Sequence, residues 1–175
     1  MLCEQIWNKN DMGVFSEMKL LNQLVYEFRK ALEIIVDKKM YGRLYLFESF
    51  PKGCCGYTSD LLATYLIDSG ISRERIQLLN SETKEEKYTH SWLMIDNRFF
   101  VDITADQFNG KTYFKKYEPI PSCCIVPCNT YLYECFDKEK MEYTSCIGID
   151  SYSGDIPRKL HEIYDLVIRQ IQNGL

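Results

Sequence analysis

From Leu21 onward, apolar residues recur at spacings of three and four: Leu21, Leu24, Val25, Phe28, Leu32, Ile35 and Val36. That period predicts an amphipathic helix over 16–40, with Ser16 as its N-cap and Gly42 as its stop. A short apolar run, Leu44 to Phe47, has no clear period. Pro51, Gly53 and Gly56 then punctuate a loop. Beyond it Thr58, Leu61, Leu62, Tyr65 and Leu66 return to helical spacing, and Gly70 suits the left-handed position past a helix end. The period then changes to that of strands, at 75–79, 89–95 and 98–104. The charged stretch 81–87 reads as an exposed loop. Asp96-Asn97 predicts a tight hairpin between the last two strands. Segments 112–117 and 120–133 are rich in aromatic and β-branched residues and read as further strands, interrupted by Pro119, Pro121 and Pro127. A last amphipathic helix covers 157–171, with Leu160, Ile163, Tyr164, Val167 and Ile171 on its buried face. Helix, helix, strands, helix is an α+β order with a mainly antiparallel sheet.

The chain has 175 residues, a length that suits one domain, 1–175, and 46% of them are apolar, ordinary for a globular protein. The net charge is −4 and the sequence pI about 5.3. That balance, with no Lys/Arg run longer than two, argues against nucleic acid as a partner. No apolar stretch is long enough for a transmembrane helix, so no membrane partner is expected. Met1 to Trp7 lacks the basic start and apolar run of a signal peptide, which predicts a cytoplasmic protein. Eight cysteines is a high count for such a chain. Without signs of secretion they are read as reduced thiols, several of them packing as small hydrophobes.

There are two histidines. His161 lies beside Leu160 in the last helix and reads as a surface or boundary residue. His90 opens the strand 89–95, and Asp102 lies in the strand that returns from the Asp96-Asn97 turn. Pairing about that turn sets His90 near Ile103, with Asp102 one residue from the opposite position. An Asp in an apolar strand needs a partner, because a lone buried carboxylate is costly, and a histidine supplies one. Cys55 sits at the first turn of the second helix. Helix N–H groups and a nearby imidazolium both favour a thiolate there. Cys55, His90 and Asp102 have the residue types of a nucleophile, a base and the group that orients the base.

Gly53-Cys54-Cys55, closed by Gly70-Ile71, together with His90-Ser91-Trp92 and Asp102-Ile103-Thr104, resembles the transglutaminase-like branch of the papain-like cysteine enzymes. That family carries Gly-x-Cys, His-x-Trp and Asp-x-Thr in this order. Phe50 to Gly56 and Asp102 to Phe108 are also similar to segments of small bacterial proteins with Phe-Pro-x-Gly-x-Cys-Gly and Asp-x-Thr-Ala-Asp-Gln-Phe. The resemblance spans about residues 50–108. It implies a papain-like fold, a nucleophile helix packed on an antiparallel sheet, and chemistry on a protein, peptide or amide substrate without a cofactor. Matching Gly-x-Cys assigns the nucleophile to Cys55. Cys54 is then a loop residue or a resolving thiol.

The backbone N–H of Cys55 is one natural oxyanion donor. Papain-like enzymes often draw a second from a glutamine upstream, but the nearest here is Gln23. Tyr45, Ser49 and a backbone amide in Gly53-Cys54 are candidates. Asp106 or Gln107 lines the site, or else serves the turn after Asp102. Trp92 walls the substrate channel or packs inward. Ser59 and Asp60 are expected to serve their own helix. Cys123, Cys124 and Cys128, with Cys135 and Cys146 downstream, lack the spacing of a zinc knuckle and read as a core or edge strand. The expected activity is a cysteine-dependent hydrolase or acyl transferase acting through an acyl-enzyme, with protease, amidase or deamidase favoured. Two alternatives stand beside it: an inactive binding module of the same fold, and a thiol-redox or zinc protein.

Overall fold

The computed structural model describes residues 9–40 and 47–174, with side chains from residue 17 onward. The first helix, α1, spans Lys9–Asp37. It begins well before Ser16, so Ser16 is not its N-cap. A capping hydroxyl contributes about 1 kcal/mol and does not stop a helix that preceding residues can extend. The predicted stop also moves. Lys39 takes a left-handed φ of 52°, and the Lys39 and Met40 N–H groups donate to Val36 and Ile35. Gly42 and the run from Leu44 to Leu46 lie outside the described residues. Leu21, Leu24, Val25, Phe28, Leu32 and Ile35 are all buried, as their spacing predicts.

Helix α2, Cys55–Asp68, is apolar on most sides because it lies between α1, the sheet and the last helix, α3 (Ile156–Gln172). It ends in a Schellman turn. The Gly70 N–H donates to Ile67, the Ile71 N–H donates to Leu66, and Gly70 has φ 96°.

The strands are β1 (Ile76–Glu82), β2 (Thr89–Ile95), β3 (Phe99–Asp102), β4 (Cys124–Pro127) and β5 (Glu142–Thr144). They form an antiparallel sheet in the order β4-β3-β2-β1-β5. The molecule is therefore α+β, as expected. Strand β1 runs into the stretch read as a loop, and Ser81 and Thr83 are buried. Their hydroxyls make burial tolerable: Ser81 Oγ donates to the Asp137 carbonyl at 2.9 Å, and Thr83 Oγ1 accepts from the Tyr88 N–H at 3.0 Å. Segment 112–117 is a 3₁₀ turn rather than a strand. Asn109 closes that loop by bonding both the N–H and the C=O of Ile120, so the segment needs no strand partner.

The hairpin register decides the site. Asp96 and Asn97 both have positive φ, as a tight turn requires, but Arg98 is an extra residue before pairing resumes at Ile95–Phe99. Leu93 therefore faces Val101, and the ladder is offset by one from the predicted pairing. Side chains alternate between faces, so a one-residue offset moves Asp102 onto the same face as Trp92 and His90.

The two faces carry different cores. Toward the helices, Leu78, Leu93, Ile95, Val101 and Ile103 meet the aliphatic faces of α1, α2 and α3. On the other face Trp92, Phe100, Phe108, Phe114, Tyr133 and Phe136 form an aromatic cluster under the connecting turns. Among the described residues no helix is long and apolar enough to cross a membrane.

Candidate active site

Cys55 is the first residue of α2. The first intrahelical bond runs from the Thr58 N–H to the Cys54 carbonyl at 2.9 Å, and no side chain caps the helix. The N–H groups of Cys55, Gly56 and Tyr57 thus have no helical acceptor. Strand β3 pairs with β2 only over Leu93–Ile95, which leaves the Thr89–Ser91 end of β2 without a neighbour on that side. The first turn of α2 rests there, with Ser59 Oγ donating to the Ser91 carbonyl at 3.3 Å.

His90 is 2% exposed and Asp102 1%. His90 Nε2 lies 2.6 Å from Asp102 Oδ2. The carboxylate accepts three further bonds: from the Thr104 N–H at 2.8 Å, from Thr104 Oγ1 at 3.2 Å, and from the Tyr133 hydroxyl at 3.0 Å. The other ring nitrogen, Nδ1, receives Gln107 Nε2 at 3.0 Å. Cys55 and His90 line the same cleft and each shifts the other's protonation. The imidazole is packed against Trp92, Phe108 and Phe136.

Three opposing shifts follow from this packing. Burial pushes the Cys55 thiol up, but hydrogen bonding and charge from His90, with contacts to Ser91, bring it below its ordinary value. Burial pulls His90 down, and Asp102 with Cys55 lifts it above its ordinary value. Burial raises Asp102, while His90, Thr104 and Tyr133 hold it below the usual carboxylate range. Every cause acting against burial favours the same charge arrangement: carboxylate, imidazolium and thiolate.

Cys55, His90 and Ser91 open onto a cleft of about 540 Å³. Asn80 and Glu82 of β1 floor it, and residues 139–142 form its far wall. That wall is an excursion of the chain. Phe136 bridges to Thr83, the chain leaves through Lys138–Lys140, and it returns to pair Glu142 with Asn80.

The cleft excludes three sequence candidates. Cys54 is 1% exposed in the helix-side core, its thiol donating to the Pro51 carbonyl at 3.5 Å, with burial pushing its pKa up to about 11. It is neither a cleft residue nor an available resolving thiol. Trp92 is fully buried in the aromatic cluster: it shares the face of His90 but lies two residues further along β2, away from the open end. Gln107 does not line the cleft either; it bonds the His90 ring instead. Asp106 is paired with Arg29. Ser49 is exposed, and Tyr45 lies outside the described residues. Asp60 bonds away from its own helix, accepting from the Gly148 N–H at 2.7 Å and the Tyr152 hydroxyl at 2.6 Å. His161 sits at the surface beside Asp150.

Two contributors escaped sequence reasoning. Tyr133 comes from a turn 31 residues beyond Asp102, with no spacing to announce it. Arg29 had a signal: it stands four residues after Val25 and three before Leu32, inside the apolar stripe of α1. It is 4% exposed, donates to the Ile103 carbonyl and both Asp106 oxygens, and lies 4.4 Å over the Phe50 ring. It thereby ties the loop before Cys55 to the loop after Asp102.

The seven cysteines among the described residues are free. Among those residues no three His, Cys, Asp or Glu side chains are placed to hold a metal ion. No protein family, curated protein or solved structure matches this chain.

Proposed function

We propose that the protein is a cysteine-dependent hydrolase or acyl transferase acting on amide or peptide bonds, on a small papain-like, transglutaminase-type fold. The observation that carries this reading is the buried His90–Asp102 pair, bonded through Nε2, lining one open cleft with Cys55 at the start of α2. Cys55 Sγ attacks the substrate carbonyl carbon while its proton passes to His90 Nδ1. The unpaired N–H groups at the start of α2 receive the developing oxyanion. The tetrahedral centre collapses, the C–N bond breaks, and His90 returns the proton to the leaving amine. Water, or a second amine, then cleaves the thioester with His90 again as base. Asp102 keeps the ring in the Nε2–H tautomer and stabilises its charged form.

Acyl trapping tests this. With p-nitrophenyl acetate, peptide mapping should find acetate on Cys55 in a nitrophenolate burst, and the burst should vanish in Cys55→Ser and His90→Ala. Acetylation spread over several cysteines, unaffected by His90→Ala, would favour a binding module of the same fold.

A further inference from the structure

Both nitrogens of the His90 ring are engaged, by groups of opposite character. Nε2 faces an acceptor, Asp102 Oδ2, and so carries a proton. Nδ1 faces Gln107 Nε2 at 3.0 Å. Which end of the amide points at the ring follows from its second partner. The same Gln107 atom lies 3.0 Å from the Thr104 carbonyl oxygen. A carbonyl only accepts, so that atom is the amide NH2, and it donates to Nδ1 as well. Nδ1 is then an unprotonated acceptor. Gln107 is 7% exposed, and its own N–H also donates to Thr104, so the amide is held in place.

Cys55 needs that same nitrogen. When Cys55 ionises, its S–H bond breaks and an N–H bond forms at Nδ1. The imidazolium then points Nδ1–H at an NH2 group that cannot accept it, and Gln107 loses an acceptor. No other neighbour of the ring plays this part. Trp92, Phe108 and Phe136 present aromatic carbon. Tyr133, with Cys124 beside it, reaches Asp102 rather than the ring. Asp106 is held by Arg29, and Glu82 on β1 by Lys140.

We propose that Gln107 is a positioning residue that pulls His90 toward the neutral Nε2–H imidazole, so that the free protein carries less Cys55 thiolate than Cys55, His90 and Asp102 would form alone. The inference rests on the reading of Cys55 and His90 as nucleophile and base. Its consequence is a guarded thiol. Between turnovers less of Cys55 is thiolate than His90 and Asp102 would form unopposed, and so less of it is open to oxidation.

The test is iodoacetamide alkylation of Cys55, resolved by mass spectrometry and followed across about pH 5 to 9. Gln107→Leu removes the donor. Its midpoint should fall by roughly 0.5 to 1 pH unit, with alkylation below the midpoint about three- to tenfold faster. Gln107→Met also lacks the donor while keeping the side-chain length, should lower the midpoint by a similar amount, and keeps the test alive if the Leu variant does not fold. A residue that only supported the loop would change thermal stability in both variants and leave the midpoint alone. Nitrogen NMR should find that Nδ1 of the His90 ring takes up its proton at a lower pH in the wild type than in Gln107→Leu. An Nδ1 that protonates at the same pH in both, or a Cys55 midpoint unchanged or raised in the variants, overturns the inference. His90→Ala separates the two levels. If it leaves Cys55 reactivity unchanged, the nucleophile–base reading itself fails. If it abolishes that reactivity while the Gln107 variants shift nothing, only the role of Gln107 fails.

Discussion

The two faces of the sheet are built on different terms. Toward the helices the core is mainly aliphatic, and most of its residues come from long elements whose period is plain in the chain. On the other face the core is aromatic and capped by short turns, and into it are set a buried carboxylate, an imidazole and an amide. The first face holds the fold by burying area, which is insensitive to orientation. The second holds directed polar contacts, which work only at one geometry. Cys55 belongs to the frame and His90 to the polar insert, and the candidate site lies where the two meet, at the open end of β2.

That contrast can be broken from either side. The largest effect is expected in the frame. Phe28 is fully buried between α1 and its neighbours, and Phe28→Ala should cost about 3–5 kcal/mol in urea unfolding. Whatever protein remains folded should keep the wild-type pH profile of Cys55 alkylation.

Asp102→Ala comes next, at about 3 kcal/mol, because it leaves His90 buried without its carboxylate. Here the pH profile should change as well, with the Cys55 midpoint moving up. The cost should also depend on pH. Asp102 has a folded pKa below its unfolded value of about 3.8, so its contribution is present above that value and lost as pH falls through the folded pKa. His90 is shifted the other way. Its contribution is full below about pH 6.5 and lost as pH rises through its raised folded pKa. The difference between wild type and variant should therefore be widest between about pH 4 and 6.5 and shrink outside that window. A cost independent of pH would mean that Asp102 acts by shape alone.

Tyr133→Phe removes one hydrogen bond to a charged group, for about 1–2 kcal/mol, and should raise the Cys55 midpoint by less than Asp102→Ala does. A tyrosine that only filled space would leave the midpoint where it was. The smallest change is Gly70→Ala. A Cβ there meets nothing within 4 Å, so the cost is the left-handed backbone alone, about 1 kcal/mol, with no effect on Cys55.

The same contrast explains what was legible beforehand. The stripes of α1, α2 and α3 and the bounds of β2 followed from periodicity, because burial against a long partner imposes a period. The turns at 112–117 and 131–135 did not. Their aromatic residues pack onto the second core from 3₁₀ geometry, and β-propensity registers only that they are half-buried. Residue types and order singled out Cys55, His90 and Asp102, and the structure brings them together. Their geometry was not readable, because it turns on one extra residue, Arg98, in the hairpin. Cys54 and Trp92 were each left with two readings, because depth in the core is not readable from proximity in sequence to a reactive residue; the structure buries both. Tyr133 reaches Asp102 only through the tertiary fold.

The central claim is that Cys55 is activated through His90. The most direct measurement is the rate of Cys55 alkylation by iodoacetamide across about pH 5 to 9, each cysteine followed separately, in the wild type and in His90→Ala. The account predicts that Cys55 reacts at a pH where Cys54, Cys123 and Cys135, with pKa values pushed up to about 11, are silent, and that His90→Ala removes this reactivity. A Cys55 that titrates with an ordinary thiol midpoint, unchanged when His90 is removed, would contradict it.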